Sequence, residues 1–225
     1  MKALVKLIMA AVVVVGLATP ARAALVAGVI PEGPVGTNQF IPDLTLGPTI
    51  GGYYGAQLYL VGGTVDITAE WYGGEAGYNN QFKWGSDTPF SHPGGDTTGN
   101  TVDGTYVANA VSPGLLPFSF FTPQTGLTVA NGANPDNSGT GPNFFVTFYD
   151  LTPGIANTAP GGPGGGQFVW IFFDDGGAAN DDNHDDMAIK LTITGDGHFE
   201  AVPEPGSMIL LGSGLAALLA RRRRS

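Results

Sequence analysis

The sequence contains no cysteine, which removes disulfide staples, thiol nucleophiles and the lipidated cysteine of a lipoprotein. Histidine is scarce: His92, His184 and His198 stand apart, and no H-E-x-x-H, G-x-S-x-G or Walker A pattern occurs. Basic residues are nearly missing from the interior. Of nine Lys and Arg, only Lys83 and Lys190 fall within residues 24–202, against 18 acids, so that segment has a net charge of −16. Phosphate recognition needs clustered Lys and Arg, so no nucleic acid is expected as a partner, and cations are favoured instead. A long apolar periodicity of 3.6 is also lacking outside the two ends, which argues against a helical body. Glycine (36) and proline (17) are abundant. They show no three-residue period, which excludes collagen, and a 43% hydrophobic content argues against disorder.

The two ends read as addresses. Residues 1–23 join Lys2 and Lys6 to the apolar run Leu7 to Leu17 and then Ala21-Arg22-Ala23. This is the make-up of a secretory signal peptide, cleaved by signal peptidase after Ala23. The other end runs Val202-Pro203-Glu204-Pro205-Gly206, then the apolar residues 207–220, then Arg221 to Arg224 and Ser225. As a helix the apolar run is about 21 Å long, short of the ~30 Å hydrocarbon core. The arginines hold it on the cytoplasmic side, so transient retention in the inner membrane followed by processing is expected.

The Pro-Glu-Pro string, the short apolar segment and the Arg-rich tail, in that order, resemble the PEP-CTERM sorting signal. The resemblance implies export by a Gram-negative bacterium, typically one that makes exopolysaccharide. It also implies processing by the membrane peptidase exosortase and passage to the cell surface or extracellular matrix. Pro203, Glu204 and Pro205 are then the recognition element and carry no catalysis. The chain divides into a signal peptide (1–23), an exported domain (24–201) and a sorting signal (202–225).

The exported body reads as strands. Val65, Ile67, Ala69 and Trp71 alternate with Thr64, Asp66, Thr68 and Glu70. Asn143 to Tyr149, Gln167 to Phe173 and Met187 to Ile193 are aromatic or β-branched in the same rhythm. Weaker candidates are Ala24 to Ile30, Ala56 to Val61, Tyr78 to Trp84, Thr105 to Val111, Phe118 to Phe121 and Gly126 to Ala130, punctuated by Gly, Pro, Asn and Asp. Residues 85–104 and 131–142 read as long polar surface loops. The expected fold is all-β: an antiparallel β-sandwich, jelly-roll-like, flanked by an N-terminal signal helix and a short C-terminal hydrophobic helix.

One segment is rich in chemistry. Residues 174–186 read Asp-Asp-Gly-Gly-Ala-Ala-Asn-Asp-Asp-Asn-His-Asp-Asp between two apolar strands. Crowded carboxylates repel without a counter-ion, and Ca²⁺ takes six to eight oxygen ligands of this kind. Asp174, Asp175, Asp182, Asn183, Asp185 and Asp186 are the candidate Ca²⁺ ligands. Asp181-x-Asn183-x-Asp185 copies the start of an EF-hand loop, but Asp186 stands where its Gly belongs and Thr192 where its Glu belongs, so an EF-hand is rejected. A solvated acidic turn and a transition metal held through His184 stay open beside calcium. The run Gly73 to Phe82, together with this hairpin, resembles a recurring group of uncharacterised exported PEP-CTERM proteins. That likeness implies one domain containing both segments, with Glu75 or Asn79 either near the acidic loop or shaping a turn.

No catalytic residue is assigned. Asp96-Thr97-Thr98-Gly99 differs from the aspartic-protease triplet by an inserted residue, and a glycosidase carboxylate pair cannot be picked from sequence spacing. Tyr72, Tyr78 and Trp84 are candidate carbohydrate contacts, whereas Trp71 lies on the apolar face of its strand. The expected function is a non-enzymatic structural or adhesive surface protein, stabilised by calcium, within or on exopolysaccharide. The alternatives are a carbohydrate-binding module and a carbohydrate-active enzyme.

Overall fold

The computed structural model describes residues 26–31, 38, 40, 49–97, 101–149, 165–177 and 182–202. The signal peptide, Pro203, Glu204 and Pro205, and the apolar run 207–220 lie outside the described residues, as do both expected flanking helices. Among the described residues no helix is long and apolar enough to cross a membrane.

The body is built of antiparallel strands: β1 (Val26–Ile30), β2 (Ile50–Tyr54), β3 (Gln57–Gly62), β4 (Val65–Trp71), β5 (Glu75–Ala76), β6 (Asn80–Trp84), β7 (Asp87–His92), β8 (Gly95–Asp96), β9 (Gly104–Val111), β10 (Gly114–Leu115), β11 (Phe118–Thr122), β12 (Leu127–Ala130), β13 (Asn143–Thr147), β14 (Phe168–Asp174), β15 (Met187–Thr194) and β16 (Gly197–Val202). Seven strands form the main sheet in the order β1-β2-β13-β14-β15-β4-β9. A four-stranded sheet, β12-β11-β6-β7, and a three-stranded sheet, β10-β3-β16, pack over one face of it, and β5 pairs with β8.

Period-two alternation decides which side chains meet. Ile67, Ala69, Phe144, Val146, Val169, Ile171, Phe173, Met187, Ile189 and Leu191 point inward from the main sheet. They meet Leu58, Leu60 and Phe199 of the small sheet and Phe82, Phe90, Phe118 and Phe120 of the other. Phe120 stacks on Phe173 with centroids 4.5 Å apart, joining the two layers. In β13, β14 and the start of β15 the alternate residues do not face water either, whereas Asp66 of β4 does. Phe145, Trp170, Phe172 and Ala188 form a second apolar cluster with Ile30, Phe40, Ile50, Tyr54 and Tyr72. β13 and β14 are therefore buried on both faces, which is why they read as unbroken apolar runs.

Six strands arise where sequence reading expects none: the two-residue β5, β8 and β10, and the longer β2, β7 and β16. β2 contains Gly51 and Gly52, β7 contains Pro89, and β16 is short and mixed, so propensity is poor and tertiary pairing decides. The expected loop 85–104 accordingly holds β7 and β8. The loop 131–142 is irregular but not merely superficial. Asn131, Asn134 and Asn137 turn inward and are buried. Asn131 closes a ladder-like pair with the Leu58 backbone, and Asn134 does the same with Phe144. At the outer edge, the β4–β9 pairing slips between Val65 and Ile67. There Ala110 adopts φ of 52° and donates its N–H to Asp66 Oδ1 at 2.8 Å.

Candidate cation site

Residues 174–186 connect β14 to β15, as the sequence implies, and each end of the connection is fixed by neighbouring elements. Asp174 Oδ1 accepts the N–H groups of Gly176 and Gly177 at 2.7 and 2.6 Å, an Asx-type turn. Gly177, at φ 62°, passes so close to the Gly141 carbonyl that a Cβ would clash. Asn38 donates to the carbonyls of Asn183 and His184 at 2.7 and 3.0 Å. On the other side Glu75 N donates to the Asp185 carbonyl at 2.7 Å. Gly74 backs onto the Asp186 carbonyl, where again no Cβ fits. The run 73–82 and the acidic hairpin are thus in contact, through the Glu75 backbone and through Asn80 in place of Asn79.

The alternation of β14 splits the candidate ligands into two groups. Asp175 turns toward the four-stranded sheet, where Asn80 Nδ2 donates to its Oδ2 at 2.7 Å and Thr122 Oγ1 donates to Asn80 Oδ1 at 2.8 Å. Asp186 joins this group: its Oδ2 accepts Asp175 N at 2.6 Å. Burial, and then the charge of Asp175, push the Asp186 carboxyl up to about 10, with Asp174 and Asp185 adding to the effect. At neutral pH Asp186 therefore holds a proton unless another cation takes its place. Asp185 is fully buried in the same turn.

Asp174 faces the other way, toward Asp182 and His184, and one ligand atom from each of these three lies within 4.8 Å of the others. His184 is 0% exposed, and its ring packs against Tyr54 and Phe145 at centroid distances of 5.3 and 6.3 Å. Nε2 is 2.7 Å from Asn143 Oδ1. Nδ1 faces Asp174 Oδ2 at 3.8 Å and Asp182 Oδ1 at 3.7 Å. Asp182 and His184 both take positive φ, 51° and 59°, which folds the turn back on itself. Asn183 is buried, with its side-chain oxygen near Asp185 N at 3.4 Å.

Asn38, Asn80, Asn137 and Asn143 belong to the site and were not singled out from sequence. They come from distant elements, and no local spacing marks them. The carbohydrate candidates fare differently. Tyr72 is 6% exposed and packs on Trp170 at 4.7 Å, and Trp84 is 7% exposed beside Phe82. Neither offers a ring face to a sugar, because the cores of the two layers absorb them. Tyr78 is 44% exposed. A shallow groove of about 180 Å³ lies elsewhere, floored by Gly28, Gly51 and Gly52 and walled by Tyr53 and Tyr149.

No curated protein and no solved structure matches the chain. Residues 201–224 match the PEP-CTERM protein-sorting motif, so the chain carries at its C-terminus the sorting signal of PEP-CTERM proteins, which supports export and sorting by exosortase.

Proposed function

We propose that the exported body is a structural or adhesive component of the cell surface or extracellular matrix, and that Ca²⁺ bound at the Asp175–Asp186 side of the β14–β15 turn stabilises it. What carries this reading is the burial of several carboxylates at one sheet end, with the Asp186 carboxyl held protonated near neutral pH. A hard dication replacing that proton would remove the repulsion and draw its oxygen ligands from these carboxylates. Asp175 and Asp186 are its central ligands, with Asp185 and Asn183 beside them. Because Asp175 is tied through Asn80 to Thr122, the ion would clamp the main sheet to the four-stranded one.

Two measurements test this. Melts of the full chain in mild detergent should rise by several degrees in Ca²⁺ over EDTA and less in Mg²⁺, at about 100 times the Kd. Deleting residues 203–225 should release the body from the surface fraction; unchanged retention would remove the sorting half of the reading. A carbohydrate-binding module is the second reading, favoured by the glycine-floored groove between Tyr53 and Tyr149. Glycan-array binding abolished by Tyr149→Ala would establish it over a passive matrix role.

A further inference from the structure

The histidine side of the turn points to a second cation of a different kind, and it uses other atoms than the calcium reading does. Hydrogen-bond direction can be followed from one fixed end. Asp182, a carboxylate, only accepts, so Asn137 must present its amide nitrogen to Asp182 Oδ1, at 2.9 Å. Asn137 Oδ1 then accepts from Asn143 Nδ2 at 2.8 Å. That leaves Asn143 Oδ1 as the acceptor facing His184 Nε2 at 2.7 Å. Nε2 therefore carries the proton, and in the neutral ring Nδ1 presents a lone pair. It presents it to two carboxylate oxygens, at 3.7 and 3.8 Å, inside an aromatic wall. Three electron-rich atoms converging in a low-dielectric pocket are stable only around positive charge.

The dimensions admit a small dication, and the donor set decides which. A triangle with edges of 3.7 and 3.8 Å and a third of at most 4.8 Å has its centre about 2.2–2.4 Å from each corner. Zinc bonds to imidazole nitrogen and carboxylate oxygen are ~2.0–2.2 Å long, within a small inward adjustment. An imidazole ligand selects against Ca²⁺ and Mg²⁺ and for the first-row transition metals. Each ligand is also oriented by its own outer partner: His184 by Asn143, Asp182 by Asn137, and Asp174 by the Gly176 and Gly177 amides. We propose that Asp174 Oδ2, Asp182 Oδ1 and His184 Nδ1 bind a transition-metal dication of the Zn²⁺ class, a structural site that locks the turn after export.

The test uses the full chain, stripped with EDTA and returned to metal-free buffer, with Zn²⁺ as the probe and Co²⁺ as its spectroscopic substitute. Zn²⁺ should raise Tm by several degrees even in excess Ca²⁺, and Co²⁺ should give visible d–d absorption. Both effects should persist in Asp186→Asn and vanish in His184→Gln and in Asp182→Asn. The second variant changes a partly exposed residue and so guards against a folding failure of the first. Retention of the Zn²⁺ shift in folded His184→Gln or Asp182→Asn, or its abolition by Ca²⁺, overturns the proposal. Absence of any Zn²⁺ effect on the wild type also overturns it and makes His184 an imidazolium counter-ion. A missing Ca²⁺ response with an intact Zn²⁺ response rejects the calcium reading alone.

Discussion

Asp186→Asn separates the proton from the cation. The Asp186 carboxyl is pushed up to about 10 in the fold, chiefly by burial and then by Asp175, while an unfolded aspartate titrates near ~3.9. Between those values the folded chain binds one more proton than the unfolded chain, so stability declines as pH rises. The slope reaches about 1.4 kcal/mol per pH unit. From pH 7 to pH 9 in EDTA the loss approaches ~3 kcal/mol, or roughly 5–10 °C in Tm for a domain of this size. Asparagine copies the shape of the protonated acid and can still accept from Asp175 N. The variant should therefore match the wild type at pH 7 and hold its Tm to pH 9. In saturating Ca²⁺ the ion takes the proton's place, so the wild type too becomes flat with pH; its gain over EDTA widens as pH rises, and the variant gains nothing. Thermal melts by circular dichroism, in EDTA and in Ca²⁺ across this range, read both effects. Equal slopes for the two proteins in EDTA would falsify the protonated Asp186 and remove the basis for a cation beside it.

Acid should act through His92, which is fully buried and whose pKa is lowered by burial against the opposing pull of Asp103 and Asp96. The unfolded state takes up the proton first, so stability present above pH ~6.5 is lost as pH falls below it. His92→Phe should flatten the melts between pH 5 and 6.5. Asn80→Ala strips both Asp175 and Thr122 of their bonds to that amide and should cost about 2–4 kcal/mol in denaturant unfolding; a loss under 0.5 kcal/mol would show that water replaces it. Phe120→Ala opens a cavity at the stack on Phe173 and should cost about 3–5 kcal/mol. Gly74→Ala forces a Cβ onto the Asp186 carbonyl and should lower both Tm and the Ca²⁺ response, whereas Gly77→Ala, which meets open space, should alter neither by contact.

The strands with the clearest alternation were legible because burial on the inner face enforces period two, as in Val65 to Trp71 and Met187 to Ile193. β2 was not, since Gly51 and Gly52 carry no side chain to alternate; Gly52 is small because the Val146 carbonyl and the Phe145 ring occupy its Cβ position. β7 reads as loop because residues 85–104 are polar and Gly-rich. The acidic hairpin was visible as composition, and its place between two strands was correct. Its division into an Asp175–Asp186 side and an Asp174–Asp182–His184 side was not visible. That division depends on which face of β14 each Asp occupies and on asparagines that chain topology delivers from 40 to about 150 residues away. The convergence of Asp174, Asp182 and His184 could not be read from spacing, which does not report what the fold brings together.

The slipped pairing at β9 bears on how the chain travels. β9 ends the main sheet, and a straight outer strand there would offer its backbone to a second copy. Where Ala110 turns its N–H onto Asp66 of β4, a bulge interrupts the ladder and breaks the straight edge that a partner strand needs. Addition of a second copy at the β9 edge is thereby disfavoured at the slip, which helps keep an exported chain from associating along that strand.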